Sequence, residues 1–189
     1  MVTIEDLSKH TESNTPVGLV HLYFGDGKGK TSAAVGLIVR FVGNDKKVLV
    51  AQFFKGRASG EVAILDALPE VTVLRDESSE KFMWEMDEVE AAKYRASQKA
   101  LYKKAWELAA RGDYDLLVLD EVLYLPFYQI VDEQSLIESL RSKPRQLEVV
   151  LTGRNASKVI EEEADYITKL ENVKHPYDNG IPQRKGIEY

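Results

Sequence analysis

Short apolar runs recur along the chain at residues 17–24, 46–54, 71–74, 114–121, 148–154 and 166–170. They show little polar alternation, which is the pattern of strands buried on both faces of a parallel sheet. Between them the spacing turns helical. Ala33 to Val42 reads as a helix ending at Gly43, Gly60 to Leu68 as one stopped by Pro69, and Glu88 to Arg111 as a long one closed by Gly112. In the long helix Val89, Ala92, Ala96, Ala100, Leu101, Ala105 and Leu108 recur at three- and four-residue steps, predicting a narrow small-residue face toward the sheet. Tyr94, Lys99, Lys103 and Lys104 fall elsewhere, as a solvated face. Two further helices are expected, one from Asp132 to Arg141 and one from Ala156 to Ala164 with Asn155 as N-cap. Strands alternating with helices predict a three-layer α/β fold with a mostly parallel central sheet of about six strands. Residues 1–16 are polar, end at Pro16 and read as a flexible N-terminal arm, or as one that orders on a partner subunit or substrate. Residues 17–189 contain no linker or repeat and read as a single domain.

The first strand runs into Gly25-Asp26-Gly27-Lys28-Gly29-Lys30-Thr31-Ser32, and a helix follows. Strand, glycine-rich loop and helix form the setting of a phosphate-binding P-loop, so the fold is expected to be of the P-loop (RecA-like) kind. Glycines let successive N–H groups turn inward, and the helix N-terminus adds partial positive charge. Lys30 supplies a mobile ammonium, and the Thr31 hydroxyl can reach a magnesium ion held by the phosphates. The loop is one residue tighter than the general pattern, because Phe24 stands where the first glycine belongs. About 90 residues later Leu116-Leu117-Val118-Leu119 is followed by Asp120 and Glu121, a Walker B arrangement. A strand ending this way carries its acids to the edge beside the P-loop, where they can hold magnesium or orient a water. Lys55-Gly56 leaves the second strand at the end where open α/β sheets bind ligands.

Composition narrows the chemistry. Among 189 residues there is no cysteine, which excludes disulfides, thiolate metal sites and cysteine nucleophiles. The three histidines are not at metal-ligand spacing. A net charge of −6 argues against nucleic acid as the main partner. No apolar run approaches the roughly 20 residues of a membrane helix. The N-terminus lacks a basic-then-apolar leader pattern, so a cytoplasmic location is expected.

Residues 75–87 break the alternation, and Lys81-Phe82-Met83-Trp84-Glu85-Met86 puts large apolar side chains in a loop-like setting. Either they cap the core under the next helix or they form a lid or pocket wall for an apolar ligand. From the residues alone this is a magnesium–nucleotide enzyme whose reaction is open.

Along almost its whole length, however, the chain resembles the P-loop type of corrinoid (cob(I)yrinic acid a,c-diamide) adenosyltransferases. The resemblance lies in Gly25 to Thr31 with its tight spacing and extra lysine, in Gln52-Phe53-Phe54-Lys55-Gly56, and in Phe82-Met83-Trp84-Glu85. It continues in Leu119-Asp120-Glu121, in Leu151-Thr152-Gly153-Arg154 and in the ending from Lys174-His175-Pro176 to Gly186-Ile187-Glu188-Tyr189. It implies that the cobalt(I) of a reduced corrinoid attacks the 5′ carbon of ATP and releases inorganic triphosphate. ATP would lie, in a reversed sense, on Gly25, Asp26, Gly27, Lys28, Gly29, Lys30, Thr31 and Ser32, with Arg40 a further contact. Lys30 would act in catalysis. Thr31, Glu121 and Asp120 would hold Mg2+. Phe82, Met83 and Trp84 would bind the corrinoid, with Phe82 and Trp84 closing under the ring and displacing its lower ligand so that the cobalt is easier to reduce. A homodimer is implied, and a flavoprotein-type electron donor is compatible with it. A P-loop kinase or NTPase, or an ATP-binding carrier or regulatory protein, remains the alternative; the first would make ADP or phosphate in place of triphosphate.

Overall fold

Apolar strands without polar alternation need cover on both faces, and the computed structural model, which describes residues 17–56 and 59–188, shows how they obtain it. The arm expected at residues 1–16 lies outside the described residues. The strands are β1 (Val20–Phe24), β2 (Val48–Gln52), β3 (Val71–Arg75), β4 (Leu116–Asp120), β5 (Glu148–Gly153) and β6 (Tyr166–Lys169), in one sheet ordered β3-β2-β4-β5-β1-β6. Every pairing in it is parallel. The helices are α1 (Lys30–Val42), α2 (Gly60–Leu65), α3 (Glu88–Ala109), α4 (Tyr124–Phe127), α5 (Glu133–Arg141) and α6 (Lys158–Glu162).

Alternate residues of each central strand serve opposite layers. Leu49, Leu117, Leu119, Val149 and Leu151 pack with Leu101 and Ala105 of α3, Leu136 and Leu140 of α5 and Ile160 of α6. Val48, Val50, Leu116, Val118 and Val150 pack with Ala34 and Ile38 of α1 and Leu65 of α2. Leu117, Leu119 and Leu151 are fully buried, each worth about 2 kcal/mol in transfer free energy.

Local expectations needed correction at four places. Helix α1 begins at Lys30, three residues before Ala33, because Gly29 adopts φ 114° and turns the chain into the helix there. Helix α2 stops at Leu65, short of Leu68. The cap of α6 is Ser157, whose hydroxyl accepts from Ile160 N–H, and not Asn155. The buried stripe of α3 is Tyr94, Gln98, Leu101, Tyr102, Ala105 and Ala109, while Val89 is 64% exposed. Of the expected face only Leu101 and Ala105 are buried. The stripe is rotated because Gln98 finds partners inside: its Oε1 accepts from Phe54 N–H at 3.1 Å and its Nε2 donates to Asp76 Oδ2 at 3.1 Å. Tyr94 meets the edge of Phe54, centroid to centroid 6.2 Å.

Because all strands run one way, their carboxyl ends share one edge. The loops after β1, β2, β3, β4, β5 and β6 therefore converge there.

Candidate active site

The loop after β1 is built by glycine at the points where nothing else fits. Gly25 and Gly29 lie at φ 115° and 114°, in the left-handed region. A Cβ at Gly25 would stand 2.2 Å from Leu170 O, and one at Gly27 2.7 Å from the Glu171 backbone. The loop thus lies flat on the exit of β6. Gly25 N–H donates to Arg154 O and Gly27 N–H to Leu170 O, both at 2.9 Å. This corrects the expectation that the Gly25 to Gly29 amides all face a phosphate, since these two are committed to the fold. The N–H groups of Asp26, Lys28, Gly29, Lys30 and Thr31 have no protein acceptor among the described residues. They supply the anion-binding amides at the start of α1.

Lys30 Nζ donates to Gly25 O at 2.7 Å and to Gly27 O at 2.9 Å, so the ammonium is held inside its own loop. Burial, more than any neighbour, lowers its pKa. Lys28 is partly exposed and pairs with Glu188 at 3.1 Å. Asp26 Oδ1 accepts from Asn172 N–H at 3.3 Å, and Ser32 is exposed in the first turn of α1. Arg40 is exposed in the last turn of α1. Ten residues at about 1.5 Å each put it ~15 Å from Lys30 along the helix, so the structure does not bring it to the loop.

Beside the loop, β4 delivers Asp120, which is 1% exposed. Thr31 Oγ1 donates to this carboxylate at 3.1 Å, and Thr152 Oγ1, at the end of β5, donates to Asp120 Oδ1 at 2.7 Å. Gln52 Nε2, at the end of β2, reaches Asp120 Oδ2 at 3.4 Å. Lys55 Nζ donates to Asp120 Oδ2 at 2.5 Å and to Thr31 Oγ1 at 2.9 Å. Glu121 follows in the left-handed region at φ 63°, with its N–H held by Thr152 Oγ1 at 2.8 Å. Its Oε2 is buried and has no hydrogen-bond partner among the described residues. Burial raises the Glu121 pKa first and Asp120 adds to the rise, while Lys55, Lys30 and Arg154 oppose it. Thr31, Asp120 and Glu121 are hard oxygen donors, and the orphaned Glu121 oxygen is what a cation would satisfy. No cluster of three or more His, Cys, Asp or Glu among the described residues could hold a metal by itself. Two carboxylates and a hydroxyl fit magnesium, which takes few protein ligands and completes its shell with waters and phosphate oxygens.

Phe82 and Trp84 lie on the loop after β3, at the same edge. They do not cap the core: they are 38% and 74% exposed, and their rings stack at 4.4 Å and 9°. Met83, half-buried, opens a single 3-10 turn, Met83–Glu85, and Glu85 Oε2 accepts from Phe82 N–H at 2.7 Å. The ends of β3 and β1 are four strand spacings apart, ~19 Å at about 4.8 Å each, so the aromatic pair and the phosphate loop flank the edge from opposite sides.

Gln52, Lys55 and Thr152 were not assigned to the site from the sequence, although all three surround Asp120. The family resemblance took in all three within its motifs without giving them a role, and the polar residue after an apolar strand singled out Lys55 alone.

The solved structure of the RadB recombinase is similar in fold, with 14% identity and a TM-score of 0.50 over 93% of this chain and 86% of that one. Residues 16–189 match the family described as ATP:corrinoid adenosyltransferase BtuR/CobO/CobP. The corrinoid adenosyltransferase of Escherichia coli K12 is 34% identical over 178 residues, covering 91% of this chain and 86% of that protein. That of Pseudomonas aeruginosa is 35% identical over 173 residues (91% and 84%), and corrinoid adenosyltransferase CobA of Salmonella typhimurium is 34% identical over 174 residues (91% and 86%). With its phosphate loop, paired acids and aromatic loop on one sheet edge, the chain belongs to the ATP:corrinoid adenosyltransferase BtuR/CobO/CobP family.

Proposed function

We propose that the protein transfers the 5′-deoxyadenosyl group of ATP to the cobalt(I) of a reduced corrinoid, working as one domain over residues 17–189. The cobalt lone pair forms the Co–C5′ bond, the C5′–O bond breaks, and inorganic triphosphate leaves with that electron pair. The observation that carries the reading is the pairing, on one sheet edge, of a cationic glycine-rich loop with an exposed aromatic stack. The second offers the flat apolar surface that a corrin ring needs beside the nucleotide.

Each group has a task in this reading. The N–H groups of Asp26, Lys28, Gly29, Lys30 and Thr31, together with Lys30, bind the charge that grows on the leaving group, an electrostatic contribution of the kind that dominates many sites. Gly25, Gly27 and Gly29 shape the loop that presents them. Lys28 joins by exchanging Glu188 for phosphate, and Ser32 lies within the same first turn. Magnesium, held by Thr31, Asp120 and Glu121, supplies further neutralisation of the triphosphate. Phe82 and Trp84, flanked by Met83, bind the corrinoid through apolar surface that donates nothing to cobalt, which favours loss of the lower ligand. Arg40, ~15 Å from Lys30 along α1, is left to the part of the nucleotide remote from the loop. Function as a homodimer, with a flavoprotein-type reductant and in the cytoplasm where ATP is available, completes the proposal.

The test is anaerobic incubation with ATP, Mg2+ and chemically reduced cob(I)alamin, following the visible spectrum and assaying triphosphate. Adenosylcobalamin and triphosphate should appear in equal amounts, and both should be lost in Lys30→Ala. Accumulation of ADP and phosphate without a cobalt–carbon bond would replace this reading with that of a kinase or NTPase.

A further inference from the structure

Lys55 has a place in the site that the phosphate loop and the paired acids do not explain. Its ammonium bridges Asp120 Oδ2 at 2.5 Å and Thr31 Oγ1 at 2.9 Å, two of the three side chains that suit magnesium. An ammonium and a magnesium ion placed on the same oxygens compete for them. Both need the same space, and at 3–4 Å apart their charges repel strongly wherever water is scarce. We propose that Lys55 is an exchangeable cation: it and magnesium compete for Thr31 and Asp120, and the displaced lysine turns to the triphosphate. This rests on the reading that places magnesium on Thr31, Asp120 and Glu121.

The surroundings fit a pivoting side chain on a fixed backbone. Phe54, just before Lys55, lies at φ 56° and donates its N–H to Gln98 Oε1. A non-glycine residue held this way costs on the order of 1–3 kcal/mol and persists only where its surroundings determine it. Arg75 Nη2 donates to Lys55 O at 2.6 Å. Gly56 presses on the next loop so closely that a Cβ there would stand 1.7 Å from Ser79 O. The backbone is therefore clamped on three sides. The Lys55 side chain is 24% exposed, against 2% for Asp120, so its way out is open to solvent while the acid's is not. A lysine is a compact charge on a flexible four-carbon stem, able to follow the charge balance. As magnesium and triphosphate arrive together, the ammonium leaves a place that has become positive for one that has become negative. The exchange couples the two ligands, because metal on the acids frees a cation for the phosphates.

A purely structural ion pair predicts something else. Removing its lysine would loosen Asp120 and weaken metal binding. Exchange predicts effects of opposite sign on the two ligands. On the full chain, Mn2+ binding without nucleotide is read from the free-ion electron paramagnetic resonance signal, and MgATP binding by calorimetry. Lys55→Met should bind Mn2+ alone about ten-fold more tightly than the natural chain and MgATP about ten-fold more weakly. If Lys55→Met does not fold, Lys55→Gln is read in the same way. Unchanged or weaker Mn2+ binding, or unchanged MgATP binding, overturns the proposal. Glu121→Gln separates the two layers of inference. If it binds Mn2+ as well as the natural chain does, with and without ATP, the magnesium site itself has been placed wrongly.

Discussion

Thr152 holds both acids of the site with one hydroxyl. It donates to Asp120 Oδ1 at 2.7 Å and accepts from Glu121 N–H at 2.8 Å, at a position with no solvent exposure. Valine has the same shape and neither function. Thr152→Val removes a hydrogen bond to a carboxylate, about 1.5–3 kcal/mol, and strands a buried N–H, about 1–3 kcal/mol. These losses overlap, and the added methyl returns about 1 kcal/mol, so a net loss of about 2–3 kcal/mol is expected. For a chain of this size that lowers the melting temperature by about 4–12 °C. The Glu121 backbone, at φ 63°, is held by that same hydroxyl. The magnesium concentration for half-maximal rate should therefore rise about ten-fold, as when groups that orient metal ligands are lost. Thr152→Ser keeps the hydroxyl and should fall within about 1 kcal/mol of the natural chain, the cost of one methyl. Calorimetric melting and a magnesium titration of the rate, on both variants, make the comparison. Valine melting within ~2 °C of the natural chain, or serine falling as far as valine, would refute the role given to the hydroxyl.

Four further outcomes follow from the same structure. Gly25→Ala should abolish ATP binding in calorimetry and lower the melting temperature, because its Cβ would meet Leu170 O at 2.2 Å with φ at 115°. Gly36→Ala, in open space on α1, should instead raise the melting temperature by about 1–4 °C, from about 0.5–1 kcal/mol of helix preference. The double variant Phe82→Ala and Trp84→Ala should cost no more than about 1.5 kcal/mol of stability, the worth of one aromatic pair, yet lose the four-coordinate cobalt(II) spectrum of bound corrinoid. An intact spectrum would remove these rings from the site. Burial raises the Glu121 pKa, so the folded chain holds that proton longer than the unfolded chain. Stability in EDTA should then fall as pH rises from the ordinary carboxylate range through the raised Glu121 value. Glu121→Gln should flatten this fall in denaturant titrations at several pH values, and a slope equal to that of the natural chain would contradict the burial effect.

Much of this protein was legible in its sequence because the signals are local. Strand, tight glycine loop and helix form within residues 20–42, and the glycine conformations at 25 and 29 are demanded by backbone sterics. Unalternating apolar runs imply a covered parallel sheet, and a run ending in Asp120-Glu121 brings acids to its edge. Other features depend on partners far away in the chain. Whether a helix stripe is buried is decided by what it meets, so Gln98 went inside to satisfy Phe54 and Asp76 while Val89 stayed out. The cap is Ser157 and not Asn155 because the helix starts at Lys158, which puts the Ser157 hydroxyl within reach of Ile160 N–H. The strand order placed β4 between β2 and β5, and this order brings Gln52, Lys55, Thr31 and Thr152 around one carboxylate, from positions 32 to 89 residues away from Asp120 in the chain. The sequence by itself determined which groups could bind a nucleotide and a metal. The tertiary structure decided which of them share oxygens, because hydrogen bonds across parallel strands join residues that no local pattern relates.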